Sequence, residues 1–288
     1  MKNYKEIFEH LVTQTQDYLE RNGLKSMILG ISGGIDSTVC AVICREVSRR
    51  MDRKIKFIGA SLPSKTNEKD EQSTATSIGV LFCDSFREKD IQRIYEFVSS
   101  GFSGHLGDPK QTSIANGNIK ARLRMIYLYN LASLYHGIVI DTDQLTENSL
   151  GFWTIHGDEG DFDIIGDLWK TEVYELADWM VSEYLIDERE KEAVKNSIGL
   201  VPTDGNGVMP GGDLAQIAPG FTYPQVEEVL KAYVGKENPD LAPLIEKYGE
   251  EMVIRVTDRV NASRFKRKHR PFVISMTPDS EGNYIREK

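Results

Sequence analysis

The 288-residue sequence has no run of about 18 apolar residues, so nothing in it reads as a membrane-spanning helix. Its first twenty residues are amphipathic and charged and do not resemble a secretory signal. Cysteine is scarce. Cys40, Cys44 and Cys83 are odd in number and lack metal-ligand spacing, which argues against a disulfide framework and fits a reducing cytoplasm. Positive charge is not in surplus either. The formal net charge is -9 and the pI about 5.2, a balance that counts against a general nucleic-acid binder. One local basic cluster exists at residues 264–270, and it reads first as a solvated helix end. There is no internal repeat and no low-complexity tract. The phosphate loop G-x-x-x-x-G-K-[ST] is missing.

With 40% hydrophobic residues, the length suits a single large domain with helical additions. Helical spacing marks residues 1–20 and 37–50, and buried-strand patterns mark 26–31 and 55–61. A third strand is expected at 80–84 and a fourth at 137–141, with helices at 90–99, 118–135, 170–183 and 224–270. Residues 101–117 and 201–220 are rich in turn formers and read as loops, with 101–117 and 201–213 expected to close over ligands. Strands alternating with helices predict an α/β fold, a doubly wound parallel sheet flanked by helices, with a helical C-terminal extension. Ligands of such sheets bind beyond the carboxyl ends of strands.

One such strand end carries Gly30-Ile31-Ser32-Gly33-Gly34-Ile35-Asp36-Ser37. A small-residue turn into a helix aims backbone N–H groups outward beside the positive end of the helix dipole. The natural guest is a phosphate, and glycines let the backbone approach it closely. Asp36 would repel that guest unless a metal ion lay between them, and Mg²⁺ is the usual bridge. The stretch also fits G-x-S-x-G, the nucleophile elbow of hydrolases, with Ser32 attacking an ester. No downstream histidine has an obvious partner for that role. Glu147, at a second strand end, is the candidate second metal ligand, although a first-turn helix acid has a dipole explanation too. Lys170 stands at a helix start, where the dipole disfavours a cation, and so reads as functional. Arg122 has the fork that suits phosphate. Asp158 and Asp161 are turn acids or fixed acceptors for hydroxyls or ammonium.

The motif S-G-G-x-D-S resembles the signature of the N-type ATP pyrophosphatases, with an adenine nucleotide alpha hydrolase-like fold. Four more segments narrow the resemblance: Gly117-Asn118-Ile119-Lys120-Ala121-Arg122-Leu123-Arg124-Met125, Thr142-Asp143-x-x-x-Glu147-x-x-x-Gly151-Phe152, Gly157-Asp158-x-Gly160-Asp161 and Gly166-Asp167-Leu168-Trp169-Lys170-Thr171. In this order they are similar to the ammonia-dependent NAD synthetases, from about residue 4 to 271.

The resemblance implies an ATP pyrophosphatase core at about 20–185 and a lid with helices at about 186–275. No glutamine amidohydrolase domain is expected. It implies that residues 30–37, with Thr142, Lys170 and Thr203, contact ATP, and that Asp36 and Glu147 bind Mg²⁺. Arg122, Asp158, Asp161, Phe265 and Lys266 would contact deamido-NAD. The implied catalytic set is Asp36, Glu147, Lys170 and Asp158. The implied reaction is adenylylation of the nicotinate carboxylate, then displacement of AMP by ammonia, in a cytoplasmic homodimer. The chain departs from the family at Ile155 and Phe265, where a lysine and a histidine are usual. Asp141 replaces a glycine, and the segment after Asp158 is one residue shorter. These departures keep open another adenylylating synthetase with a different substrate. A nucleotide-binding module without catalysis is the remaining alternative.

Overall fold

The apolar runs at residues 26–31, 55–61 and 137–141 become neighbouring buried strands. The computed structural model describes residues 2–52, 54–102, 108–202, 212–268, 272–278 and 284–286. Among these, the strands are β1 (Ser26–Gly30), β2 (Lys56–Ser61), β3 (Ser85–Glu88), β4 (Gly137–Asp141), β5 (Phe162–Asp163), β6 (Phe272–Ile274) and β7 (Ile285–Arg286). They form one sheet in the order β3-β2-β1-β4-β5-β6-β7. All pairs are parallel except the last, β6 with β7. The helices are α1 (Tyr4–Arg21), α2 (Ile35–Arg50), α3 (Lys69–Phe82), α4 (Gln92–Phe102), α5 (Pro109–Tyr135), α6 (Leu145–Leu150), α7 (Lys170–Trp179), α8 (Glu188–Gly199), α9 (Gly212–Ile217), α10 (Tyr223–Tyr233), α11 (Ala242–Tyr248) and α12 (Glu250–Ala262). No described helix is long and apolar enough to cross a membrane.

Side chains alternate across a strand, and here both faces are covered. Met27, Leu29 and Phe57 pack under α1, α2, α3, α7 and α8. Ile28, Ile58 and Val139 face Met125, Leu128 and Leu131 of α5. A separate apolar cluster joins α6 to α9–α12 through Leu150, Val226, Leu230, Val253 and Val256. The expected doubly wound sheet with a helical C-terminal part is thus present.

Several boundaries differ. The apolar stretch at 80–84 is not the third strand but the end of α3, with Phe82 buried and Val80 66% exposed. The true β3 is a half-polar edge strand, which needs no apolar pattern. Residues 101–117 are not one loop. Asp108 caps α5 by accepting from the Lys110 N–H, and Pro109 sits at its first position, so a helix start overrides the turn-former composition. Residues 103–107 and 203–211 lie outside the described residues. The predicted helix at 170–183 changes at Met180 into a π-helical turn, Met180–Tyr184.

Glu46 on α2 ties that helix to the π-helical turn after α7. It is 2% exposed and accepts hydrogen bonds from Arg49, Arg50 and Tyr184. Burial alone would raise its carboxyl, but those donors hold it down at about 2. Its folded value lies below its unfolded 4.5, so its contribution is complete above pH 4.5 and fades as pH falls toward 2. Glu46→Gln is expected to lose about 1–3 kcal/mol at neutral pH. Its melting temperature should then fall less steeply with acid than that of the parent. Equal slopes in thermal melts across that window would refute the assignment.

Candidate active site

The chain runs from β1 outward to β2 and β3, then returns to place β4 on the other side of β1. That reversal opens a crevice at the carboxyl ends of β1 and β4, the usual ligand position in such sheets. Two of the loops singled out in the sequence begin there.

The first loop leaves β1 and enters α2 at Gly34, its N-cap. Gly33 has φ +91, and a Cβ there would lie 2.3 Å from the Glu71 carbonyl oxygen, so only glycine fits. The serines fold the loop on itself. Ser32 Oγ accepts from the Gly34 N–H at 3.2 Å, and Ser37 Oγ donates to the Gly34 carbonyl at 3.0 Å. The two hydroxyls are 3.1 Å apart. Ser32 is thus held by Ser37 and the backbone rather than by a histidine, which does not favour the nucleophile elbow. Gly33→Ala is expected to destabilise by about 1–3 kcal/mol and to weaken nucleotide binding. An unchanged nucleotide affinity in calorimetry would remove this loop from the site.

Three helix starts then converge. Asp36 lies in the first turn of α2, Glu147 in the first turn of α6, and Lys170 opens α7. Glu147 is fixed by a reciprocal cap. Gln144 Oε1 accepts from the Thr146 and Glu147 N–H groups, and Glu147 Oε2 accepts from the Gln144 N–H. Lys170 Nζ donates to Asp36 Oδ2 at 2.5 Å and is 3.8 Å from Glu147 Oε1. Lys170 is 2% exposed. Burial alone would lower its ammonium, but the Asp36 and Glu147 carboxylates outweigh this and raise it well above the usual lysine range. It is therefore a cation at every working pH. The Tyr174 and Tyr223 rings lie 6.0 and 5.8 Å from Nζ.

Asp36 Oδ1 is buried and has no hydrogen-bond partner among the described residues. An orphaned carboxylate oxygen beside a second acid is a hard, anionic donor set. It suits a divalent cation that completes its shell with water and phosphate oxygens. Thr142, half-buried, follows β4, and its N–H donates to Asp141 Oδ1 at 2.7 Å.

The residues expected at the second substrate divide. Three meet on one turn. Arg122 donates to the Ile155 carbonyl at 3.2 Å, Lys266 donates to the carbonyls of Gly151 (2.8 Å) and Trp153, and Asp158 Oδ1 accepts from the Thr154 N–H at 2.6 Å. Surrounding protein pushes the Asp158 carboxyl up to about 6 by desolvation. The residue is itself open to solvent, however, so water in the cleft blunts that rise. Burial lowers the Lys266 ammonium. Phe265 is 60% exposed. Asp161 instead turns toward α5. It accepts from Tyr129 Oη at 2.8 Å and lines a surface groove of about 410 Å³ with Ser133 and His136. Thr203 lies outside the described residues. Tyr174 and Tyr223 were not anticipated, since neither position carries a motif signal.

A family profile described as NAD synthase matches residues 7–270. An NH(3)-dependent NAD(+) synthetase of Methanosarcina mazei is 30% identical over 261 residues, covering 89% of this chain and 93% of that protein. The structure of an NMN synthetase from Francisella tularensis is similar with a TM-score of 0.73 at 26% identity, covering 97% of this chain and 100% of the other. A glutamine-dependent NAD(+) synthetase of Thermotoga maritima is 29% identical over 270 residues, 92% of this chain; the chain spans about half the length of that type of relative, 44% in this case. The profile match runs through all three converging helix starts and on into the C-terminal helices, and the chain belongs to the NAD synthase family.

Proposed function

We propose that this protein makes NAD by amidating deamido-NAD with ammonia, converting ATP to AMP and pyrophosphate through an adenylylated carboxylate. The observation that carries the reading is the buried Lys170 set between Asp36 and Glu147 at the mouth of a glycine turn. A passive nucleotide binder has no need of two acids held against a lysine at that point.

The free N–H groups at the start of α2 bind phosphate oxygens. Asp36 and Glu147 would hold Mg²⁺, which supplies charge neutralisation on the phosphates when bound. A nicotinate carboxylate oxygen attacks the α-phosphorus, and the bond to the β-phosphate bridging oxygen breaks, so pyrophosphate leaves. Lys170 offers a fixed ammonium to the charge that builds on those oxygens. Ammonia nitrogen then attacks the acyl carbon, AMP departs with the carboxylate oxygen, and one ammonia proton passes to the products. Asp158 is assigned as an acceptor that holds ammonium and takes its proton. Arg122, Lys266 and Asp161 are assigned to the pyridine nucleotide.

A second reading is favoured by the turn at Trp153–Asp158. Ile155 and Phe265 stand where the family has basic residues, and Lys266 donates to backbone carbonyls. One similar structure is named an NMN synthetase. A smaller substrate, the carboxylate form of that mononucleotide, fits a weakened dinucleotide grip. Amidation rates with the two carboxylates, followed by product chromatography, decide the matter. The main reading expects kcat/KM to favour the dinucleotide.

Homodimer formation is part of the proposal. Phe97 and Phe102 on α4 and Ile126 and Leu134 on the adjoining α5 are 81%, 73%, 67% and 63% exposed. Apolar groups in such number on neighbouring helices suit an interface. Sedimentation at micromolar concentration should show twice the chain mass; a monomer there would remove the dimer.

A further inference from the structure

One fully buried acid beside the site is not used by the reaction scheme. Glu227 on α10 is 0% exposed, among the core residues Val226, Val229 and Leu230. Burying a carboxylate is expensive unless its oxygens are satisfied. Here the donors come from the two helix starts that carry the site. Oε1 accepts from Thr146 Oγ1 at 2.9 Å and from the Thr171 N–H at 3.0 Å, and Oε2 accepts from Thr171 Oγ1 at 2.5 Å. Lys231 Nζ, half-exposed, is 3.4 Å away. Thr146 precedes Glu147 and Thr171 follows Lys170. The Lys170 N–H closes the circuit by donating to Thr146 Oγ1 at 3.1 Å.

We propose that Glu227 is a positioning residue for Lys170 and Glu147, acting through Thr171 and Thr146. The inference rests on the reading of those two side chains as the ATP and metal site. Two features make the arrangement more than a packing contact. First, an ammonium at the start of α7 opposes that helix's dipole, and an anion bound to the same helix start offsets it. Second, Thr146 and Thr171 are each next in sequence to a site residue, so a shift in either hydroxyl moves a charge that must meet the phosphates within a fraction of an ångström. Tyr223, one turn earlier on α10, also approaches Lys170, so the C-terminal helices touch the site at two points.

The test is Glu227→Gln, which keeps the size but faces at least one of these donors with an amide N–H. Thr171→Val is the milder second variant, removing one hydroxyl bond. Steady-state kinetics, Mg²⁺ titration and calorimetry with a Mg²⁺-loaded, α,β-methylene ATP analogue are read for each. Glu227→Gln should lower kcat by about 10- to 100-fold and raise the half-saturating Mg²⁺ concentration, as loss of a ligand-orienting partner does. KM for the pyridine nucleotide and for ammonium should stay within about twofold. Thr171→Val should move the same quantities less, and adding it to Glu227→Gln should change little, because both act along one path. If Glu227→Gln does not fold, Thr171→Val alone carries the test. The proposal is overturned if the folded variants keep their Mg²⁺ dependence and analogue affinity and lose only melting temperature, or if the double variant is additive. Analogue binding by the parent without turnover of any pyridine nucleotide would sink the reaction reading instead, and leave the clamp to be judged by affinity.

Discussion

Asp36→Asn is expected to lower pyrophosphate release by about 10³-fold, the equivalent of several kcal/mol of transition-state stabilisation. One Asp36 oxygen is tied to Lys170, and the other is buried without a partner among the described residues. The amide removes the charge that would hold a divalent ion, and it turns a donor toward the Lys170 ammonium or toward that ion. Asp143, within the second loop and buried, is not assigned to the metal pair. Asp143→Asn should therefore cost far less. Rates measured at saturating Mg²⁺ for both variants check this, and comparable losses would break the assignment of Asp36 and Glu147 as the pair.

Lys170→Met should show itself in two observables. Turnover is expected to fall about 10²- to 10³-fold, the effect of removing one preorganised electrostatic partner. Stability should fall as well. Without the ammonium, two carboxylates with 18% and 21% side-chain exposure face one another across a confined gap. Breaking a buried ion pair costs about 3–5 kcal/mol, and partial exposure puts this case at the lower end. Mg²⁺ should restore the melting temperature of Lys170→Met more than it raises that of the parent, because the ion replaces the missing charge. A variant that melts like the parent with no added response to Mg²⁺ would contradict the cluster's role.

How legible was this in the sequence? The glycine turn between β1 and α2 was, because its geometry is local. Gly33, Ser32, Ser37 and Asp36 lie within six residues, and the strand before them and helix after them are strongly apolar. The buried strands β1, β2 and β4 were legible for the same reason, whereas the two-residue β5, also buried, was not. The edge strand β3 was not, since half its side chains meet water and its sequence Ser85-Phe86-Arg87-Glu88 carries no apolar signal. The start of α5 was hidden by glycines and serines, although Asp108-Pro109 is a start signal in hindsight.

The candidate site divides along similar lines. Position at a second strand end made Glu147 a candidate partner for Asp36, but Lys170 could be tied to them only through the family resemblance, because 134 residues separate it from Asp36 and the sheet order brings them together. Asp158 and Asp161 are three residues apart, yet one faces the Trp153–Asp158 turn and the other α5. A turn of chain reverses direction over that distance, and composition does not say which way. Glu227 was out of reach. It is one of two adjacent glutamates, and only the fold reveals that it is buried while Glu228 pairs with Lys247 at the surface.

The measurement that bears most directly on the central claim is pyrophosphate release from ATP and Mg²⁺ with ammonium present, run with and without deamido-NAD. The account predicts release only when deamido-NAD is present, with one NAD formed for each pyrophosphate. Release that ignores deamido-NAD, or none at all by a protein that binds ATP, would contradict it.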